Sequence, residues 1–296
     1  MNEIKEYLLQ QHCPEDQWHL STMMEGVLNR QIHRLPKNHV SDQEARYPTT
    51  TTGMRTFLQK FFARHYLQIQ DSLFDFITSK EGINILRGGK LQILDVGSGP
   101  AVASLAITDM LCSVFDKLYC HSNFLCRGKT DITYILNDPQ DICVGTGKQM
   151  LAEYISGNKS GCRYIKERIL TIAKPFPNNL NQLSRIASNI GEYNIVCMSY
   201  VIIPMHEYKG IPFIAKGVNS LIPICDNENR VLITQDRFRE RLIRKVAEAL
   251  HVRCERSDIT QKVYDQENKN HVHTYSYYRC LFHTREIEKA KNRMAG

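Results

Sequence analysis

The chain has 296 residues, of which 42% are hydrophobic and 23% charged. That composition can bury a core, and it excludes wholesale disorder. A net charge of +7 tolerates an anionic partner without demanding one. No apolar run approaches the ~18 residues of a membrane span, and the start, MNEIKEYLLQQH, has neither secretory nor transit character. The ten cysteines are scattered with no CxxC, so reduced thiols in the cytoplasm are expected, most of them acting as small buried hydrophobes.

In chain order, residues 1–88 read as a helical extension, a lid over a substrate site. Residues 4–11 and 21–33 have helical spacing, and a polar stretch then ends in Tyr47-Pro48, ahead of Thr49–Thr52. In the helix predicted at 54–66, Met54, Phe57, Leu58, Phe61, Phe62 and His65 repeat at three- and four-residue steps. Residues 72–78 continue in helix. Gly82 and Gly88-Gly89 break the chain before the first clear strand.

From residue 89 to 296 the pattern alternates. Strands are expected at 91–96, 132–136, 169–173, 193–199 and 230–234. Helices are expected at 101–115, 147–155, 211–221 and 239–251. Two strand-like stretches at 252–264 and 271–283 flank a polar turn at 265–270, the pattern of a hairpin. The class is therefore α/β: a mostly parallel sheet with helices on both faces, an antiparallel hairpin at its C-terminal edge and an N-terminal helical extension.

The segment with chemistry in it is LQILDVGSGP, residues 91–100. An apolar strand followed by Gly97-Ser98-Gly99-Pro100 lets the backbone turn sharply and approach a ligand. The helix that follows points free N–H groups at that ligand. The third glycine of a pyrophosphate-binding GxGxxG is missing. Asp95 stands before the first glycine, where it would repel a pyrophosphate but suits a cofactor bearing an ammonium and a sulfonium.

D-V-G-S-G-P after an apolar strand resembles motif I of the class I, Rossmann-like, S-adenosylmethionine-dependent methyltransferases. The resemblance implies a seven-stranded sheet and S-adenosyl-L-methionine as cofactor, with S-adenosyl-L-homocysteine as product. It places Asp95, Gly97, Ser98, Gly99 and Pro100 around the methionine half. It also implies an acid after the second strand for the ribose hydroxyls. Asp138, in Asn137-Asp138-Pro139, is the preferred candidate. A competing register puts the second strand at 117–121 and supplies no acid, only His121, Ser122 and Asn123. At the end of the fourth strand, Ser199 and Tyr200 would meet cofactor or acceptor. Arg64-His65-Tyr66-Leu67 is weakly similar to the tyrosine-bearing segment of the nicotinamide and phenylethanolamine N-methyltransferases, which makes Tyr66 a candidate for closing over the site. His65, His206 and Glu207 are further candidates for a general base, with His206 preferred beside Tyr66.

The function expected is methyl transfer to a nucleophilic N or O of a small-molecule acceptor, with Tyr47, Phe61, Phe62, Tyr66 and Tyr200 as wall residues. An RNA methyltransferase or ribosome-assembly factor stands as the alternative, on the charge and on the basic run 237–245. Third comes a non-catalytic relative that keeps the fold as a scaffold. Cys120, His121 and Cys126 lack a usual zinc spacing, so no metal is expected.

Overall fold

The computed structural model describes residues 2–121, 129–262 and 272–295. Six helices come first: α1 (Asn2–His12), α2 (Thr22–Arg34), the short α3 (Asp42–Arg46), α4 (Thr51–Phe57), α5 (Ala63–Ile77) and α6 (Lys80–Arg87). Alternation then begins with β1 (Lys90–Val96), α7 (Val102–His121), β2 (Thr130–Asn137), α8 (Asp141–Gly157) and β3 (Ile165–Ile172). It continues through α9 (Leu180–Ile190), β4 (Tyr193–Ser199), α10 (Ile202–Lys209), α11 (Ile211–Asn219), β5 (Cys225–Asp236) and α12 (Glu240–Leu250). The chain closes with β6 (Glu255–Lys262), β7 (Val272–Phe282) and α13 (Thr284–Ala295).

The seven strands form one sheet in the order β3-β2-β1-β4-β5-β7-β6. The first five run parallel, and β7 pairs antiparallel with both β5 and β6. This is the Rossmann-like α/β sheet that the strand and helix pattern predicts. The central parallel strands β1, β2 and β4 are buried along almost their whole length, because helices cover both faces. Leu91, Ile93, Ile132 and Cys197 pack under α1, α2, α5, α7 and α8, whereas Leu94, Val96, Ile135 and Met198 pack under α9 to α13. The N-terminal helices thus share one core with a face of the sheet.

The structure departs from the sequence pattern in several places. α7 runs to His121 and occupies the register that would have made 117–121 a strand. Its apolar stripe continues through Leu111, Val114, Phe115 and Leu118 on to the sheet. The helices α3, α6, α9, α10 and α13 have no counterpart among the predicted elements. Ser79 caps α6 by accepting from Gly82 N–H, so the glycine read as a breaker sits inside a first turn. Cys112 on α7 and Cys162 before β3 are joined as a disulfide, against the expectation of reduced thiols throughout. Gly161 makes the approach possible, because a Cβ there would strike the Cys112 carbonyl. Cys126, Ser122, Asn123 and the turn at 265–270 lie outside the described residues. Among the described residues no helix is long and apolar enough to cross a membrane.

Candidate cofactor and acceptor cavity

The parallel strands all end on one edge of the sheet. β1 sits between β2 and β4, and the chain leaves β1 toward β2 but returns to β4 on the other side. A crevice opens at such a reversal. Here it is a cavity of about 1410 Å³, lined by the glycine turn after β1, the ends of β2, β4 and β5, and parts of α3, α4 and α5.

The turn is shaped by backbone that side chains would obstruct. Gly97 and Gly99 have φ of 64° and 50°, in the left-handed region that favours glycine. A Cβ on Gly97 would stand 2.7 Å from Val201 Cγ2, at the end of β4. Ser98 N–H donates to the Asn137 carbonyl at 2.9 Å, tying the turn to the end of β2. From behind, Gly147 of α8 lies against Ala101, where a Cβ would stand 2.7 Å from the Ala101 nitrogen.

Two carboxylates border this turn. Asp95 is 1% exposed, and its Oδ2 accepts from Ser104 N–H at 3.0 Å and from the Ser104 hydroxyl at 2.9 Å. Burial pushes its pKa up to about 7, with the Ser104 hydrogen bonds pulling the other way. Asp138 follows β2 directly. Its Oδ2 accepts from Gly99 N–H at 3.1 Å and its Oδ1 from Gln140 N–H at 2.9 Å. Burial raises it as well, against those two bonds.

Across the cavity, Tyr200 follows β4 with φ of 59°, a strained value for a bulky residue. Its ring stacks on His65, with centroids 3.5 Å apart and planes 13° from parallel. Its hydroxyl donates to Gln68 Oε1. Ser199 Oγ pairs with Thr234 Oγ1 at 2.9 Å. His65 forms a triangular aromatic cluster with Phe57 and Phe61, each pair of centroids about 6 Å apart. A π turn at Leu58–Phe62 separates α4, which carries Phe57, from α5, which carries His65. Burial, with Arg64 adding to it, holds His65 well below the usual imidazole range, so its ring is neutral at pH 7.

The mouth is made from distant segments. Tyr47, Pro48 and Thr49 lie between α3 and α4, opposite Phe238 and Arg239 after β5. Phe238 is 77% exposed. Glu44 fixes the first of these segments by accepting from the N–H and hydroxyl groups of both Thr49 and Thr50. Around the whole lining five carboxylates (Asp42, Asp95, Asp138, Glu207, Asp236) face three guanidiniums (Arg46, Arg64, Arg239). The chain is basic, yet this cavity is acidic.

Of the residues singled out in the sequence, Asp95, Gly97, Ser98, Gly99, Asp138, Ser199 and Tyr200 all line the cavity. Pro100 does not; it lies on the α8 side of the turn, beside Gly147. Tyr66 is turned away from the cavity. It is fully buried, and its hydroxyl donates to Asp109 Oδ2 at 2.5 Å. Helical spacing explains this, since a face that gives Phe61 and His65 to the cavity turns Phe62 and Tyr66 into the core, with Tyr66 bonded to α7. His206 is exposed on α10, while its neighbours Met205 and Glu207 line the cavity. Asp42, Arg46, Arg64 and Asp236 carry no local signal; only the fold gathers them. No group of three or more His, Cys, Asp or Glu side chains among the described residues is placed to hold a metal ion.

No protein-family model matches the chain, and no curated protein matches it in sequence. Among solved structures it is similar to a SAM-dependent methyltransferase from Agrobacterium tumefaciens (TM-score 0.40, 11% identity, 75% of this chain, 61% of that one). It is also similar to a precorrin-6y C5,15-methyltransferase from Geobacter metallireducens (TM-score 0.39, 12% identity, 70% and 89%). An rRNA methylase from Streptococcus thermophilus overlaps at TM-score 0.34 and 8% identity, over 68% and 95%. The chain thus spans about three fifths of the first of these. Overlaps this loose say nothing about acceptor or chemistry.

Proposed function

We propose that the chain is an S-adenosylmethionine-dependent methyltransferase acting on a nucleophilic N or O of a small, uncharged or cationic acceptor. The observation that carries this reading is the acidic cavity at the strand reversal, built on a glycine turn and two buried carboxylates. A sulfonium and an ammonium are drawn to such a lining, and a phosphate is repelled by it.

The residues present fit that cofactor. Gly97 and Gly99 let the backbone approach its methionine half. Asp95 meets a positive charge, which draws the carboxyl to its ionised form. Each Asp138 oxygen keeps a lone pair beyond the N–H it already accepts, so the pair suits two ribose hydroxyls. When bound, S-adenosylmethionine supplies an activated methyl on its sulfonium. The work left to the protein is alignment, which contributes several kcal/mol without acid or base. Tyr200, pinned by His65 and Gln68, forms a fixed wall for the acceptor. A base is needed only where the acceptor must lose a proton. Carboxylates that hold a sulfonium hold its neutral thioether product less strongly. Within the N-terminal extension, residues 42–65 serve as the cover, with Tyr47, Pro48 and Thr49 at the mouth.

RNA as acceptor has one observation in its favour, exposed Phe238 flanked by Arg237 and Arg239. The carboxylates lining the cavity oppose it. Titration calorimetry with S-adenosylmethionine and S-adenosylhomocysteine tests the cofactor. Binding of both is expected, and Asp138→Ala should weaken it at least tenfold, about 1.4 kcal/mol or more. No heat from either ligand overturns the proposal and leaves a scaffold. RNA binding that falls steeply with salt would move the acceptor to RNA.

A further inference from the structure

Two thiols at the far edge of the sheet face each other. Glu255 of β6 stands opposite Arg279 of β7 in an antiparallel register. The ladder ends there, and carrying its register one residue further sets Cys254, just before β6, opposite Cys280. Facing residues of an antiparallel pair hold their Cβ atoms about 4.5–5.5 Å apart, a small adjustment from the ~3.5–4.5 Å of a disulfide. Both are free thiols, close enough to act on each other's ionisation.

Their surroundings differ in a useful way. Cys254 is partly exposed and Cys280 is buried. The neighbouring Cys280 thiol holds the Cys254 thiol below its ordinary range, against the opposing effect of burial, and Arg244 helps. Cys280 itself is pushed up, first by Cys254 and then by burial. Elsewhere among the described free cysteines, burial pushes Cys13, Cys143, Cys197 and Cys225 up. A thiol that is reachable and readily ionised, next to a second thiol that is neither, is the arrangement of an attacking and a resolving cysteine.

We propose that Cys254 and Cys280 form a peroxide-sensitive pair that closes into a disulfide. The Cys254 thiolate attacks one oxygen of hydrogen peroxide and the O–O bond breaks. Cys254 becomes a sulfenic acid, and the leaving hydroxide takes up a proton as water. The Cys280 sulfur then attacks the Cys254 sulfur, the S–O bond breaks and a second water leaves. Two thiols are oxidised by two electrons, and one peroxide is reduced to two waters. The bond formed staples the residue before β6 to the C-terminal end of β7. β7 in turn pairs with β5, with Cys280 opposite Ile233 and Tyr278 opposite Gln235 of the cavity lining.

The test uses the full chain, exposed to hydrogen peroxide, alkylated, digested without reduction and analysed by mass spectrometry against an untreated sample. The expected result is a new linked pair of peptides carrying Cys254 and Cys280, reversed by dithiothreitol, together with a raised thermal midpoint. Cys280→Ser should trap a sulfenic acid on Cys254 that reacts with dimedone, and Cys254→Ser should leave Cys280 unoxidised. The proposal is overturned if both residues are recovered as alkylated thiols after treatment. It is equally overturned if Cys254 links to another cysteine, or if Cys254 of the Cys280→Ser variant fails to react with dimedone. None of these readouts depends on methyl transfer.

Discussion

Asp95 and Asp109 are both buried, at 1% and 3% exposure; Asp95 is bonded by Ser104 of α7, and Asp109 belongs to that helix. Asp109 has a partner from within the fold on each of its oxygens. It accepts from Tyr66 and Tyr154 hydroxyls at 2.5 Å each, and His12 Nδ1 stands 3.9 Å away. Burial lowers the His12 pKa despite Asp109, so that imidazole is neutral near pH 7. The network joins α1, α5, α7 and α8 into one layer. Asp95 has one hydrogen-bonding partner among the described residues, Ser104, which bonds one of its oxygens, and it borders the cavity. The contrast separates a carboxylate bonded by the fold on both oxygens from one bonded on a single oxygen at the edge of a cavity. A buried carboxylate satisfied by its own fold holds elements together, and one left short of partners at a cavity awaits a charge from outside.

That contrast can be broken experimentally, and the largest effect is expected at Asp109. Asp109→Ala strands two buried phenols and should cost about 3–5 kcal/mol of stability, read by urea denaturation. A loss under ~1 kcal/mol would show that the network does not hold the helical layer. Asp95→Asn should do the opposite. The amide oxygen still accepts from Ser104, and the cost of burying a charge is gone. The Asp95 carboxyl is raised in the folded state, so its contribution to stability is fully present below its unfolded pKa near 3.9 and is lost as pH rises through about 7. Above pH 7 the ligand-free Asn variant should therefore exceed the parent by a few kcal/mol, since each tenfold change in a group's proton affinity is worth about 1.4 kcal/mol. Its affinity for S-adenosylmethionine should nevertheless fall at least tenfold. The parent's affinity should weaken as pH drops below about 7, where Asp95 takes up a proton, whereas the Asn variant's should lack that step. Equal pH profiles for the two proteins would remove Asp95 from the cofactor site.

The smallest effect is expected at the mouth. Burial acts to raise Glu44, but the four hydrogen bonds from Thr49 and Thr50 outweigh it and hold the carboxyl below its ordinary value. A lowered acid stabilises above its unfolded pKa, and that contribution is lost as pH falls through the folded one. The group is largely solvated, so Glu44→Ala should cost under ~1 kcal/mol. Faster amide exchange at 47–53 with no change at β1 is the expected signature. Unchanged exchange there would mean that the segment is held by something other than Glu44.

The strands and the major helices were legible because each is written in local periodicity. Residues 91–100 show this best, since the strand, the glycine turn and the start of α7 follow one another in the chain. Short helices escaped where caps rather than apolar repeats define them, as at α6 with Ser79 and α3 with Ser41. Within the site, Asp138 was legible once β2 was placed, because an acid at a strand end occupies a defined position. Tyr66 misled because the residue one step before it, His65, holds the face that meets the cavity.

The sequence by itself determined the parallel α/β plan, the turn at Gly97-Ser98-Gly99 and the carboxylate beside it, all of which depend on neighbours in the chain. The tertiary structure alone decided the sign of charge in the cavity. Asp42, Asp95, Asp138, Glu207 and Asp236 come from five separate segments, and no local pattern records that they converge. It alone decided the Cys112–Cys162 bond and the facing of Cys254 with Cys280, because pairing depends on where folded segments meet. Composition reports the total charge of a chain, but a ligand responds to the charge lining the cavity it enters.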